Sequence, residues 1–259
     1  MLEEILSIPT CYGHEDLLIE FLVGFAKDNS IRCRVDEHRN VYMVKGKPED
    51  GGFYPCVAAH TDTVHTDQKS LVKSKGRISL RESSVSGKKV LSGYYPDGNA
   101  KTGIGGDNKC GVYIALKLML EFDVIKGAFF VEEEIGMMGS KKSDDSFFSD
   151  VGYAVQFDAP TRNWFSSKLM NVPLWNEGFF DLLEPVLQKH GIDNITDGDP
   201  FTDVLQIRKK YGLCCAVFPT GYYNQHCRDE YVVPEETEEC LAMGIDALNV
   251  LGRKRYDYQ

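Results

Sequence analysis

Apolar residues recur at helical spacing in several stretches of the chain, and between them lie short apolar runs that end in acids or histidine. Leu18, Phe21, Leu22 and Phe25 predict an amphipathic helix over Asp16 to Ala26. Arg32 to Lys45 reads as two short strands around the polar turn Glu37-His38-Arg39-Asn40. Cys56 to Ala59 is a buried-strand candidate running into His60-Thr61-Asp62, and Ala128 to Val131 is another running into Glu132-Glu133-Glu134. Tyr153 to Phe157 leads to Asp158, and Cys214 to Phe218 leads through Pro219 and Gly221 to His226. Val112, Ala115, Leu116, Met119 and Leu120 predict a helix that Asp107 and Asn108 open. Phe179, Leu182, Leu183 and Leu187 read as one helix face, and a last helix starts at Pro234 with Glu235 and Glu236 in its first turn, burying Leu241, Ile245 and Leu248.

Strands alternating with helices predict an α/β fold, a three-layer α/β/α sandwich around a mixed, mostly parallel sheet. Between Thr66 and Gly106 the chain is rich in Gly, Ser, Lys and Asp, which predicts loops and small hairpins rather than a second domain. Residues 1–259 are therefore expected to form a single catalytic domain with an excursion at about 66–106 and no separate lid.

Composition narrows the function classes. A formal charge of −10 repels phosphate backbones, so nucleic acid is not expected as a partner. No apolar run reaches the length of about 18 residues that a membrane span needs. The opening Met1-Leu2-Glu3-Glu4 has no basic region leading into an apolar stretch, which predicts a cytoplasmic protein. Eight cysteines without a C-x-x-C pair read as free thiols, with Cys56, Cys214 and Cys215 as small buried hydrophobes; Cys110 and Cys227 adjoin the chemistry-bearing segments.

The chemistry collects where strands end. In open α/β sheets, sites form in the crevice outside the carboxyl ends of the strands, where His60, Glu132 to Glu134 and Asp158 would converge with Asp107 and His226. Each has an ordinary alternative: a lone histidine is commonly a surface or satisfied core residue, an acidic run is commonly a solvated strand end, and Asp107 suits a helix cap. Asp62, two residues after His60 on an extended chain, points to the same side and can orient its imidazole. Glycines 103, 105, 106 and 111 permit a tight backbone around Asp107. Three consecutive acids without a basic partner repel one another unless positive charge sits among them.

As an ordered set, His60-Thr61-Asp62-Thr63-Val64, Gly105-Gly106-Asp107-Asn108-Lys109-Cys110-Gly111, Glu133-Glu134-Ile135-Gly136, Phe157-Asp158 and His226-Cys227-Arg228-Asp229-Glu230 resemble the ligand motifs of dinuclear zinc exopeptidases of the peptidase T type. The resemblance implies two Zn²⁺ ions, with cobalt or manganese suiting the same donors. It makes Asp107 the bridging ligand, His60 and Asp158 ligands of one ion, and Glu134 and His226 ligands of the other. It makes Glu133 the general base that activates a water between the ions, Asp62 the residue orienting His60, and Asp107-Asn108 a cis peptide. Glu132 receives no role. The implied substrate is a small peptide, with aminopeptidase or small-peptide exopeptidase activity; alternatives are a zinc deacylase of N-acylated amino acids and an inactive metal-binding or interaction module. The pattern departs from peptidase T between Asp158 and His226, where this chain has too few residues for a lid domain. In compact aminopeptidases the segment matching Pro200-Phe201-Thr202-Asp203 would lie near the site, with Asp203 either attracting a substrate ammonium or capping a surface helix.

Overall fold

The structure, a computed structural model, describes residues 1–49, 51–196 and 202–258. Its strands are β1 (Arg32–Val35), β2 (Val41–Lys45), β3 (Tyr54–His60), β4 (Ser79–Val85), β5 (Lys88–Tyr94), β6 (Ile125–Phe130), β7 (Val151–Ala159), β8 (Phe165–Ser166), β9 (Lys168–Leu169), β10 (Val172–Pro173), β11 (Ile195–Thr196), β12 (Cys215–Pro219), β13 (Tyr222–Tyr223) and β14 (Tyr231–Val232). Its helices are α1 (Leu2–Leu6), α2 (Asp16–Asp28), α3 (Lys69–Lys73), α4 (Gly106–Glu121), α5 (Met138–Lys141), α6 (Asp145–Phe148), α7 (Glu177–Lys189), α8 (Val204–Tyr211) and α9 (Pro234–Leu251).

The main sheet has eight strands in the order β1-β2-β6-β3-β7-β12-β8-β11. Its central strands β6, β3, β7 and β12 pair in parallel, so their carboxyl ends emerge at one edge. The flank β1-β2-β6 is antiparallel. Side chains alternate between two cores with the period of an extended chain. Val57, Ala59, Phe129, Val155, Phe157, Ala216 and Phe218 pack with α2, α4, α7 and α9, while Cys56, Ala58, Ala128, Phe130, Ala154, Cys215 and Val217 pack with α6 and α8. Helices thus cover both faces, the three-layer sandwich that the alternating pattern predicts.

Several local expectations need correction. The excursion at 66–106 is more ordered than loops and small hairpins: β4 and β5 pair over their full length, and β5 joins β14 and β13 in a second, four-stranded sheet. Polar side chains on the exposed β4 hid its strand character. Strand β6 begins earlier than its apolar core suggested because Lys126 is buried in it, its ammonium donating to the Phe147 carbonyl and paired with Asp150. Leu182 faces outward from α7 at 37% exposure, and Val186 takes the buried place instead. Asp158 lies within β7 rather than after it. Among the described residues no helix is long and apolar enough to cross a membrane.

Candidate metal centre

The parallel strands deliver His60 from the end of β3, Glu133 and Glu134 from the turn after β6, and Asp158 from β7. The entrance of α4 supplies Asp107, and the loop between β13 and β14 supplies His226. All six side chains line one cavity of about 540 Å³, together with Val64, Ile135, Gly136, Tyr222 and Gln225. The five expected ligands and the expected base are therefore neighbours in space, although they are scattered over most of the chain.

The donor atoms form two groups that share one carboxylate. His60 Nε2 lies 3.2 Å from Asp107 Oδ1 and 3.4 Å from Asp158 Oδ1. His226 Nε2 lies 3.1 Å from both Asp107 Oδ2 and Glu134 Oε2. Asp107 thus turns one oxygen to each group. Glu133 Oε2 stands 3.9 Å from His60 Nε2, and Oε1 of Glu133 and of Glu134 are buried without a hydrogen-bond partner. One donor atom each from His60, Asp107 and Glu134 falls within a 4.8 Å span.

The backbone around Asp107 explains how it reaches both groups. Gly105 adopts a left-handed φ of 68°, and Asp107-Asn108 is a cis peptide, as the resemblance implied. Asp107 does not cap α4: Gly105 is the N-cap, no side chain makes a capping bond, and the Asp107 carboxylate faces the histidines. The Asn108 amide joins three segments, accepting from the His60 N–H at 3.3 Å and donating to the Phe157 carbonyl at 2.6 Å and Asp158 Oδ1 at 2.5 Å. Gly111 must be glycine, since a Cβ there would stand 2.2 Å from the Phe157 carbonyl oxygen.

Asp62 does more than its spacing suggested. The nearest acceptor to His60 Nδ1 is the Asp62 backbone carbonyl at 3.1 Å, with the carboxylate at 3.5 Å. The carboxylate itself accepts the backbone N–H groups of Glu133 at 2.9 Å and Glu134 at 3.0 Å. One residue therefore fixes both the imidazole and the turn bearing the two glutamates.

An outer ring of partners escaped the sequence reading. Thr202 Oγ1 donates to Asp158 Oδ2 at 2.6 Å and Gln156 Nε2 does so at 3.1 Å, while Oδ1, which takes the Asn108 amide, faces His60. The buried Glu230 accepts from the N–H groups of Gly105 at 2.8 Å and Asp107 at 3.0 Å, and pairs with His65 Nε2 at 2.9 Å. Lys109, also buried, donates to the carbonyls of Leu6 and Ile8 at 2.9 Å each and so ties the α4 entrance to the N-terminal segment. Asp203 is fully buried rather than a surface helix cap, and its side chain makes no capping bond to α8. Pro200 and Phe201 lie outside the described residues.

Electrostatically the cluster is short of positive charge. Four carboxylates, Asp107, Glu133, Glu134 and Asp158, face two imidazoles, and neither Lys nor Arg lines the cavity. Burial pushes the Asp158 carboxyl up to about 8, and burial likewise raises Glu133 and Glu134. Hydrogen bonds that His226 donates to the Asp107 and Glu134 carboxylates hold its imidazole up at about 11. Burial by itself would lower His60, but Asp158, Asp107 and Asp62 outweigh it and hold the imidazole well above its usual value. Every one of these shifts favours adding positive charge to the pocket.

No protein-family model matches the sequence, and no curated protein matches it significantly. Solved structures do match across nearly the whole chain. The aminopeptidase PepT from Bacillus cereus superposes with a TM-score of 0.76 at 12% identity, covering 96% of both chains. A tripeptidase from Staphylococcus aureus gives 0.74 at 12% identity, covering 98% of this chain and 97% of its own. A Thermotoga maritima structure described as an endoglucanase gives 0.62 at 11% identity, covering 96% of both. The resemblance read from the motifs thus extends to the three-dimensional architecture, and at these identities what the chain shares with its neighbours is the fold.

Proposed function

We propose that this chain is a metal-dependent aminopeptidase of short peptides, working with two divalent ions, zinc foremost, in a single catalytic domain without a lid. Neighbours described as peptidases and as an endoglucanase share the architecture, so the substrate has to be argued from the cavity. The observation that carries the reading is the pair of donor groups meeting at Asp107. Separations of 3.1–3.4 Å within each group match the edge of about 3.3 Å expected for a tetrahedron with metal–ligand arms of about 2.0–2.1 Å. Ion pairing alone would leave four buried carboxylates against at most two imidazolium charges, and a buried net charge of that kind is costly. Two dications balance the four carboxylates, and imidazole and carboxylate donors suit zinc.

His60 and Asp158 would hold one ion, Glu134 and His226 the other, with Asp107 between them. Ions so held would supply Lewis acidity for the scissile carbonyl and for the attacking water. Glu133 is the residue left to move protons: its carboxylate takes one from the attacking water and returns it to the departing amine. Asp62 keeps that glutamate aimed through the Glu133 N–H. A free α-ammonium can stand against Glu133, the one lining acid that the ions would leave unligated, whereas an N-acylated amino acid brings no cation to it, which favours aminopeptidase over deacylase chemistry.

The test is metal content and turnover on one preparation. Purified protein is expected to carry about two zinc ions per chain, to lose peptide cleavage on chelation and to regain it with zinc. Cleavage confined to N-acylated amino acids, or undiminished by chelation, would overturn the reading.

A further inference from the structure

The five ligands are not held alike. His60 and Asp158 come from strands of the main sheet and are buried, whereas the side chain of His226 is 52% exposed and rides on the loop between β13 and β14. The His226 backbone adopts a left-handed φ of 65°, and Asn224, two residues earlier, one of 56°. Residues other than glycine keep that conformation only where their surroundings hold them in it. What holds this loop is the excursion at 66–106.

At its base the loop belongs to the second sheet. Tyr222 and Tyr223 pair with Val232 and Tyr231, and those two pair in turn with Leu91 and Ser92 of β5. The Tyr223 and Tyr231 rings stack across the base at 5.2 Å. At its tip, the second and third residues after His226 each meet a charged side chain of the excursion. Arg228 Nη2 lies 3.3 Å from Asp67 Oδ2, which also accepts from the Tyr95 hydroxyl at 2.9 Å. Lys101 Nζ lies 2.7 Å from Asp229 Oδ1.

The two pairs run in opposite senses. The loop supplies the cation to one and the anion to the other, so exchanging their partners would set Arg228 against Lys101 and Asp229 against Asp67. Like charges repel, and the alternation therefore fixes the register of the tip as well as its distance. Glu230, the next residue, carries that register into the Asp107 loop through the N–H groups of Gly105 and Asp107.

We propose that Lys101 and Arg228 are positioning residues for His226: through them the excursion clamps the loop tip and sets the affinity of the ion that His226 and Glu134 would hold, while the ion of His60 and Asp158 does not depend on them. The inference rests on the two-ion reading. Exposed pairs contribute modestly, so removing both is expected to weaken that one ion by roughly three- to tenfold.

The experiment follows zinc release from the loaded protein through a graded chelator titration. His226→Ala identifies the release step of its own ion by abolishing it. Lys101→Gln combined with Arg228→Gln should move that step roughly three- to tenfold toward weaker binding, leave the other step in place and keep the melting temperature. Added salt should bring the wild type toward the variant. Lys101→Asp alone should weaken the same ion, and Asp229→Lys introduced beside it should restore the affinity, a rescue that a merely structural lysine would not give. Hydrogen exchange over 224–230, with and without zinc, is expected to be faster in the Lys101→Gln, Arg228→Gln protein. Faster exchange there, on a protein whose zinc content His226→Ala leaves unchanged, would sustain the clamp while sinking the two-ion reading. A release step that His226→Ala removes and the double substitution leaves in place would overturn the inference.

Discussion

Two kinds of buried carboxylate meet at the Asp107 loop. Glu230 is saturated by protein donors: two backbone N–H groups and the His65 ring surround it. Glu133 and Glu134 each keep an oxygen with no partner, and the nearest imidazole to Glu133 is 3.9 Å away. A buried carboxylate with its hydrogen bonds satisfied holds a loop in place, whereas one left short of donors stays available to a cation or a proton. The contrast separates frame from chemistry within a few residues of one another.

The largest effect should come from the unsatisfied side. Glu133→Gln keeps the shape and removes the proton acceptor, so turnover is expected to fall by about 10²–10⁴-fold while metal content and the melting temperature stay close to wild type. Metal analysis beside a peptide assay checks this, and unchanged turnover would remove Glu133 from the mechanism. The opposite signature is expected on the saturated side. Glu230→Ala leaves two buried N–H groups and a buried imidazole without their acceptor, and should cost about 3 kcal/mol in urea unfolding. If Glu230→Ala unfolds like wild type, saturation is not what holds the Asp107 loop.

The two sides were also unequally legible. His60, Asp107, Glu134 and Asp158 stand out in the sequence because each ends an apolar strand or opens a helix, and the strand direction then gathers them, whereas His226 sits on a loop and is legible only as part of the ordered motif set. The faces of α2 and α9 were readable for the same reason, as periodic burial leaves a periodic trace, whereas α4 is buried on nearly every side and its Leu120, expected on the apolar face, is 40% exposed. Glu230, His65 and Thr202 leave none: their partners lie far along the chain, and nothing local distinguishes a threonine that orients Asp158 from one on a loop. Gln156 stands only two residues from the Asp158 that it holds, but a glutamine within an apolar strand does not announce its partner. Glu230 was visible only as the end of a motif. Lys126 misled for a related reason, because its charge marks a surface until Asp150 and the Phe147 carbonyl are seen to meet it.

Glu15 lies between the two kinds. It is buried, its Oε1 accepts from the Gly13 N–H at 2.9 Å, and Arg39 approaches Oε2 only to 3.4 Å. Burial raises its carboxyl to about 7, with the Asp62 charge adding to the effect. A folded-state value above the unfolded one means that the protonated acid is favoured by folding. The stability it contributes is full below about pH 4.5 and is lost as pH rises through about 7. Glu15→Gln cannot titrate, so relative to wild type it should gain about 2 kcal/mol between pH 5 and pH 8.5. Parallel stability profiles for the two proteins over that range would show that Arg39 already neutralises the acid.

The finest division lies within a single carboxylate. Asp158 has one oxygen toward His60, where it also takes the Asn108 amide, and the other held by Thr202 and Gln156. If the frame fixes Oδ2 so that Oδ1 can serve a metal, removing one donor should loosen the ligand without unmaking the fold. Thr202→Val keeps the volume and deletes the hydroxyl, and Gln156 remains to hold the same oxygen at 3.1 Å. Loss of a partner behind a ligand typically weakens metal binding by about 10–100-fold, and with one donor left the lower end is expected. Competition against a chelator measures it directly. An unchanged affinity would mean that Gln156 and the Asn108 amide suffice to set the rotamer of Asp158, moving the boundary between frame and chemistry one residue outward.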